Sequence, residues 1–420
     1  MKIAIVTCGT RGDVQPYVAL ARALMDRGHR VTLSTHAEYG AFIRAHGVEP
    51  GPPLRDNFRA LLESDLGRRW LESAGSPREY ARHGRELLVP LQARWCEDAD
   101  AAVEGADAVL FYVLAPGALH AADRRGLPAV VLAPWPMVPS REIAPVGAVW
   151  LDRFPGFVKR AAGHEVLSLA FGPFNEVHND YRRRVGVAPF RERNVVSAVL
   201  ARRIPGVHLF SESVLARPAD WPAPYEIAGF PFLPPAPFTP PDALADFLAA
   251  GPPPVYVGFG SMTGFAPEEL SVIVTKAARL AGVRVVLARG WAGLTSSDER
   301  VHVVDETPHD WLFPRVAAVV HHGGVGTFHE ALRAGRPNVI MTFFGDQPFW
   351  ALLNRKLGTG PRALARSRVT AERLAAAIRA ALGPDHRARA EALGARLRAE
   401  PGAARAAERI ERIVTSRRSA

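Results

Sequence analysis

The segment His321-His322-Gly323-Gly324-Val325-Gly326-Thr327-Phe328-His329-Glu330 follows an apolar run, Val316 to Val320, and its glycines end where a helix begins. Backbone N–H groups at a helix start lack intrahelical partners and sit at the positive end of the aligned peptide dipoles. Gly324, Gly326 and Thr327 therefore offer a seat for a diphosphate. His322 adds a side-chain donor, and Glu330, farther along the same helix, can accept hydrogen bonds from sugar hydroxyls. The same glycines would also serve plain tight packing of strand against helix.

Two further loops carry similar chemistry. Gly258-Phe259-Gly260-Ser261-Met262 follows the apolar run Val255 to Val257 and offers amides and the Ser261 hydroxyl. Gly345-Asp346-Gln347-Pro348 follows Asn338 to Phe343. Asp346 only accepts and Gln347 both donates and accepts, which suits a polyol. In open parallel sheets ligands gather beyond the carboxyl ends of the strands, so three such loops imply one nucleotide-sugar site. Near the N-terminus, Gly9-Thr10-Arg11-Gly12-Asp13 follows the run Ile3 to Thr7. It is not the dinucleotide fingerprint: Val14 stands where the third glycine belongs, and Ser34, Thr35 and His36 stand where an acidic residue should follow the second strand. Hydride transfer with a nicotinamide is thus disfavoured. Thr10, Arg11 and Gly12 are candidates to face a phosphate, with a surface arginine as the lesser reading of Arg11.

The elements that must position these residues alternate. Candidate strands Ile3–Thr7, Arg30–Thr35, Ala108–Val113, Ala129–Ala133 and Val207–Ser211 are separated by helical stretches, one of them a single helix over Leu54–Leu71. After a proline-rich passage the pattern resumes with Val255–Val257, Arg284–Ala288, His302–Val304, Val316–Val320 and Asn338–Phe343. The expected organisation is an N-terminal acceptor-binding domain over 1–229, a linker over 230–241 where prolines remove donors and fix dihedrals, a C-terminal nucleotide-sugar-binding domain over 242–384, and a helical tail over 385–420. A chain of 420 residues exceeds what one core usually serves.

The motifs Pro308-His309-Asp310-Trp311-Leu312-Phe313-Pro314, His321 to Thr327 and Phe344-Gly345-Asp346-Gln347, in this order, resemble those of family 1 glycosyltransferases with the GT-B fold. The closest pattern is the sterol glucosyltransferase type. The run from Gly9 to Leu20 is similar to the same group, which includes bacterial enzymes acting on polyketide and glycopeptide aglycones. The resemblance implies an α/β chain of two Rossmann-like, doubly wound parallel-sheet domains facing across a cleft, with the terminal helix crossing back onto the N-terminal domain. It implies an inverting transfer of a hexose, glucose first, from a UDP- or dTDP-sugar to a hydroxyl of a hydrophobic acceptor such as a sterol, terpenoid or polyketide. The nucleotide sugar is a co-substrate, and neither cofactor nor metal is expected. Asp13 would be the general base, as in the bacterial branch; plant members place a histidine there. Asp13 is also readable as a cap of the helix that starts near Val14. Plant members stack a Trp on uracil where Glu306 or Thr307 stands here, so base recognition falls to backbone groups near Val304 to His309, with His309 among the donor-site candidates.

Trp135, Met137, Phe171 and Phe174, with Phe154 and Phe157 nearby, either line an acceptor pocket or belong to an aromatic-rich core. Two other readings compete with glycosyl transfer: a sugar-nucleotide epimerase on the same scaffold, and a catalytically silent helper of another glycosyltransferase. The net charge of +10 comes from 48 Arg and only four Lys scattered along the chain. No nucleic-acid motif accompanies that charge, so a solvated basic surface is expected, with weak peripheral attraction to an anionic membrane as the other option. Cys8 and Cys96 are too few for a disulfide framework or zinc cluster, the start lacks a secretory signal pattern, and no run of about 18 apolar residues exists. A cytoplasmic protein is expected.

Overall fold

The protein, described here from a computed structural model, has its residues 1–73, 76–262 and 267–418 described by the structure. Short β-branched runs build two separate sheets, one in each of two compact units. Unit 1 comprises Met1–Glu212, Ala216–Leu233 and Pro401–Ala420, and unit 2 comprises Ser213–Leu215 and Pro234–Glu400.

In unit 1 the strands are β1 (Lys2–Val6), β2 (Arg30–Ser34), β3 (Glu49–Pro50), β4 (Ala108–Tyr112), β5 (Ala129–Ala133), β6 (Gly206–His208) and β7 (Tyr225–Ile227). They pair in parallel in the order β3-β2-β1-β4-β5-β6-β7. Every residue of β4 and β5 is buried, as befits strands covered by helices on both faces. The chain runs outward from β1 to β3 and then returns to β4 on the other side, so the loops after β1 and β4 diverge at a topological switch point.

Unit 2 repeats the plan with β8 (Val255–Gly258), β9 (Val285–Ala288), β10 (Val301–Val304), β11 (Ala318–His321), β12 (Asn338–Thr342) and β13 (Leu364–Ala365) in the order β10-β9-β8-β11-β12-β13. Its switch point lies between β8 and β11. The Gly258–Met262 and His321–Thr327 loops leave the carboxyl ends of those two strands. One face of the sheet packs Val255, Val257, Leu287, Val320 and Met341 against Leu270, Val274, Leu374 and Ile378.

Three strands escape the sequence pattern. β3 and β13 have two residues each and β7 has three, too short for any periodicity. The helix expected over 54–71 is two, Phe58–Glu63 and Asp65–Glu72. Ser64 takes an extended conformation between them and its Oγ accepts from the Gly67 amide at 3.1 Å, starting the second helix anew. The helical tail expected from 385 consists of two helices. Pro384–Ala399 packs on Val325–Arg333 in unit 2, whereas Gly402–Arg418 packs on Arg11–Met25 in unit 1, where Arg412 meets Glu226 at 2.7 Å. The last two residues of that tail lie outside the described residues. The division at Leu233/Pro234 falls within the proline-rich passage. Among the described residues no helix is long and apolar enough to cross a membrane.

Candidate active site

The glycine corner of unit 2 is held from below by His321. That ring is fully buried, and burial drives its pKa down to about 3, so it is neutral. The Gly323 amide donates to its Nδ1 at 3.1 Å, which leaves the proton on Nε2 to be given to Asn338 Oδ1 at 2.8 Å. His321 is therefore a strut of the turn. Gly323 has φ +95, and a Cβ there would lie 2.7 Å from Ile340 Cγ2, so only glycine makes this corner.

Gly324 caps the helix Val325–Arg333 with extended backbone and no side chain. The amides of Val325, Gly326 and Thr327 open the helix without intrahelical acceptors. His322 stands beside them: a Cβ on Gly324 would come within 2.4 Å of its Nε2, and one on Gly260 within 3.5 Å of its Cε1. Burial lowers the His322 pKa to about 4, so the ring is a neutral imidazole, and its buried Nδ1 has no hydrogen-bond partner among the described residues. Nε2 thus lies at the open helix start and Nδ1 on the Gly260 side, and since buried polar atoms are ordinarily paired, the unpaired nitrogen at this junction marks a position for an outside group. Ser261, half-buried, sits on the neighbouring loop, where the Trp291 amide donates to Gly260 O at 3.1 Å.

The remaining donor-site candidates are more deeply engaged. Glu330 is only 7% exposed and lies 2.9 Å from Arg333; burial raises its pKa to about 7, with Arg333 pulling it down and Asp310 pushing it up. Asp346 accepts from the Trp350 indole N–H at 2.6 Å, while burial raises its pKa to about 6. Gln347 uses its carbonyl internally: Oε1 accepts from the amides of Phe343 and Phe344 at 2.8 and 3.3 Å, and Nε2 faces Met262 Sδ at 3.5 Å. Its structural duty is thus to shape the loop after β12. The His309 ring stacks on Phe313 at 4.3 Å, with Nε2 3.4 Å from the Tyr256 hydroxyl.

In unit 1, Asp13 belongs to the first turn of the helix Arg11–Met25. Its Oδ2 accepts from the Thr10 amide at 2.9 Å and from Thr10 Oγ1 at 3.1 Å, and Thr7 Oγ1 donates to its carbonyl at 2.8 Å. The carboxylate therefore does cap the helix, and the same bonds orient it. Cys8, Tyr17 and Tyr112 lie close enough that, after burial, the charge of Asp13 is the next cause holding their pKa values up. Arg11 is exposed, with Nε donating to Gln15 at 3.2 Å and its guanidinium 4.7 Å above Phe42. Gly12 is exposed on the same turn. Of the aromatic group, Met137 and Phe171 are core residues at 2% and 8% exposure, while Trp135 and Phe174 are half-buried. Trp135 stacks on Phe171 at 6.5 Å. The surface-facing members are Phe154 and Phe157, with the exposed Trp150 edge-on to Phe154 at 5.8 Å.

Sequence reasoning passed over a cluster whose members lie far apart along the chain. Cys96, His120 and His178 are buried together, with Cys96 Sγ 3.6 Å and His120 Nε2 3.2 Å from His178 Nδ1. Arg182 can only donate to His120 Nδ1, at 3.2 Å, so the proton of His120 sits on Nε2 and points at His178. His120 Nε2 carries a proton and the His178 Nδ1 lone pair accepts it, so the trio reads as a core hydrogen-bond relay anchored through Arg182 to Asp123 at 2.7 Å.

Two switch-point corners, one with an oriented carboxylate and one with an open helix start, on two parallel doubly wound sheets follow the plan of the GT-B class of glycosyltransferases. The comparisons agree. Residues 3–71 match the glycosyltransferase family 28 N-terminal domain, and residues 273–413 match the erythromycin biosynthesis protein CIII-like C-terminal domain. A sterol 3-beta-glucosyltransferase of Arabidopsis thaliana is 33% identical over 98% of this chain and 68% of its own length. The O-mycaminosyltylonolide 6-deoxyallosyltransferase of Streptomyces fradiae is 33% identical over all of this chain and 99% of its own. Fungal relatives such as the sterol 3-beta-glucosyltransferase of Emericella nidulans are far longer, the chain spanning 30% of that protein. Among solved structures, the glycotransferase of kitacinnamycin superposes with TM-score 0.70 at 22% identity over 98% of this chain and 99% of that one. The glycosyltransferase VinC in complex with DTDP gives 0.66 at 20% identity over the full length of both. The chain belongs to the glycosyltransferase family that contains the sterol 3-beta-glucosyltransferases and the macrolide glycosyltransferases.

Proposed function

We propose that the protein is an inverting glycosyltransferase that moves a hexose from a nucleoside diphosphate to a hydroxyl of a hydrophobic small molecule. Glucose, with UDP or dTDP as the carrier, is the first donor to test. The observation that carries the donor half is His322: a neutral, half-buried imidazole with Nε2 beside the bare start of Val325–Arg333 and an unpaired Nδ1 on the Gly260 side. A departing diphosphate gains negative charge as the C1 bond breaks, and donors fixed in advance are commonly the largest catalytic contribution, about 3 to 4 kcal/mol for one donor. The single N–H of the neutral His322 ring, the amides from Gly324 to Thr327 and Ser261 form that set. Glu330 and Asp346 take sugar or ribose hydroxyls, and Gln347 holds the loop that carries Asp346.

Asp13 takes the acceptor proton. An alcohol is too weak an acid to be deprotonated beforehand, so the carboxylate accepts the proton as the new C–O bond forms, a contribution of about 10²- to 10⁴-fold. A single base and a departing diphosphate describe one in-line displacement, so an α-linked donor yields a β-glycoside. Thr10 orients the base, and Arg11 and Gly12 stand where a phosphate could approach the turn. Trp135 and Phe174, half-buried, would touch a greasy acceptor, with Phe171 stacked on Trp135 and Met137 buried nearby in the chain. The family relation to enzymes named for sterols and for a tylonolide supports an acceptor of that apolar, ring-rich kind.

Incubation with UDP- and dTDP-sugars against sterol, terpenoid and macrolide acceptors, read by mass shift, tests the proposal. The expected result is a hexose-sized mass gain on one acceptor class, with a β linkage by NMR. Conversion of the sugar nucleotide alone, with no acceptor needed, would identify an epimerase instead.

A further inference from the structure

We propose that His36 is a positioning residue that fixes the orientation of Asp13 through the backbone of Gly9 and Thr10; this rests on the reading of Asp13 as the base. His36 follows β2 and is 1% exposed. The Gly9 amide donates to its Nε2 at 3.2 Å, so Nε2 carries no proton. The proton is on Nδ1, donated to the carbonyl oxygen of Asp56 at 2.7 Å. Burial holds the ring neutral, with a pKa near 4, so the accepting tautomer persists throughout the neutral range.

The ring has little freedom to turn. Phe58 stacks on it at 5.2 Å and Trp95 meets it edge-on at 5.4 Å. Asp56 is itself clamped, its carboxylate receiving Arg94 at 2.7 Å and the Trp95 indole N–H at 3.0 Å. The constraint then passes along the chain. Gly9 has φ +122, and a Cβ there would lie 2.5 Å from Asp13 Oδ2, so the carboxylate rests directly on the Gly9 backbone. The next amide, Thr10 N–H, donates to that same oxygen at 2.9 Å. Holding Gly9 N–H fixes the Cys8–Gly9 peptide and with it the Gly9 residue from which the Gly9–Thr10 peptide projects, and the N–H of that second peptide sets the carboxylate. A proton acceptor displaced by about 1 Å loses on the order of 10²-fold in rate, so the effect belongs in kcat.

Two substitutions separate positioning from bulk. In His36→Gln the amide oxygen reaches the place of Nε2 and can accept from Gly9; in His36→Asn it reaches only the place of Nδ1 and cannot. The full-length enzyme is assayed for kcat and KM with the sugar nucleotide and acceptor found above, donor affinity is measured by calorimetry, and the wild-type tautomer is read by imidazole ¹⁵N NMR. The expected results are a kcat loss of roughly 10- to 100-fold for His36→Asn with donor affinity unchanged, most of it recovered in His36→Gln. No further loss is expected when His36→Asn is added to Asp13→Asn, and Nε2 of His36 should be unprotonated. Equal rates for the Asn and Gln variants, a full additional loss in the Asp13→Asn background, or a protonated Nε2 would overturn the proposal. Activity surviving in Asp13→Asn itself would instead remove the underlying assignment of the base. The NMR measurement stands even if a variant does not fold.

Discussion

The corner after β1 and the corner after β11 are built alike and work differently. Each joins a buried parallel strand to a helix at a switch point, and each contains a glycine with positive φ, Gly9 at +122 and Gly323 at +95. The first corner presents a side chain: Gly9 makes room for the Asp13 carboxylate, which turns back to cap its own helix. The second presents backbone: Gly324 removes the side chain from the cap position, and the amides are left open with His322 beside them. One strand–glycine–helix plan thus yields a proton acceptor or an anion seat depending on which residue occupies the cap and the first turn.

The comparison predicts that one added methyl separates the two functions. Gly324→Ala, whose Cβ would press within 2.4 Å of His322 Nε2, is expected to weaken nucleotide-diphosphate affinity by about 10²-fold or more, measured by calorimetry. Gly9→Ala, pressing within 2.5 Å of Asp13 Oδ2, should leave that affinity intact while kcat falls by about 10²-fold. If both variants lose the same parameter, the division of labour between the corners is wrong.

An effect of similar size, on stability and not on binding or turnover, concerns Glu330. Its folded-state pKa, near 7, lies above the ordinary carboxylate value, so the protonated form is favoured by folding. Stability from this group is fully present below the ordinary value and is lost as pH rises through about 7, by up to roughly 3 kcal/mol. Urea unfolding at pH 5 and pH 8 should show a larger drop for wild type than for Glu330→Gln; equal drops would contradict the burial argument. Smaller again is Trp350→Phe, which deletes the 2.6 Å donor to Asp346. That change should cost about 1.5 kcal/mol and raise the Asp346 pKa above about 6, moving the acid limb of donor binding to higher pH.

Much of this was legible in the sequence because the glycine corners follow apolar runs. The strands flanking both switch points, and the loops carrying Asp13, Ser261, His322 and Asp346, were found from pattern and motif alone. What stayed hidden depends on contacts distant in sequence. His36 drew notice only as a non-acidic residue after β2, although that position at the carboxyl end of the sheet is the signal that could have singled it out. Its role needs Asp56, Trp95 and Gly9, which only the fold gathers. For Gln347, sequence offers both halves of the amide to a sugar and cannot show that the carbonyl already accepts from Phe343 and Phe344, leaving the NH2 group as the one for a hydroxyl. The break at Ser64 was invisible because Phe58, Leu61, Leu62 and Leu66 keep helical spacing through it. The aromatic group blurred for another reason: Met137 and Phe171 fill a core, and composition does not distinguish core from pocket wall.

The central claim is that the Asp13 carboxylate receives the proton of the acceptor hydroxyl. Asn at this position keeps the size and an oxygen able to accept from Thr10, but it cannot take a proton. Turnover and sugar-nucleotide affinity should be measured side by side for wild type and Asp13→Asn. A turnover loss of about 10²- to 10⁴-fold with unchanged affinity is the predicted result. Wild-type turnover in the Asn enzyme would contradict the account.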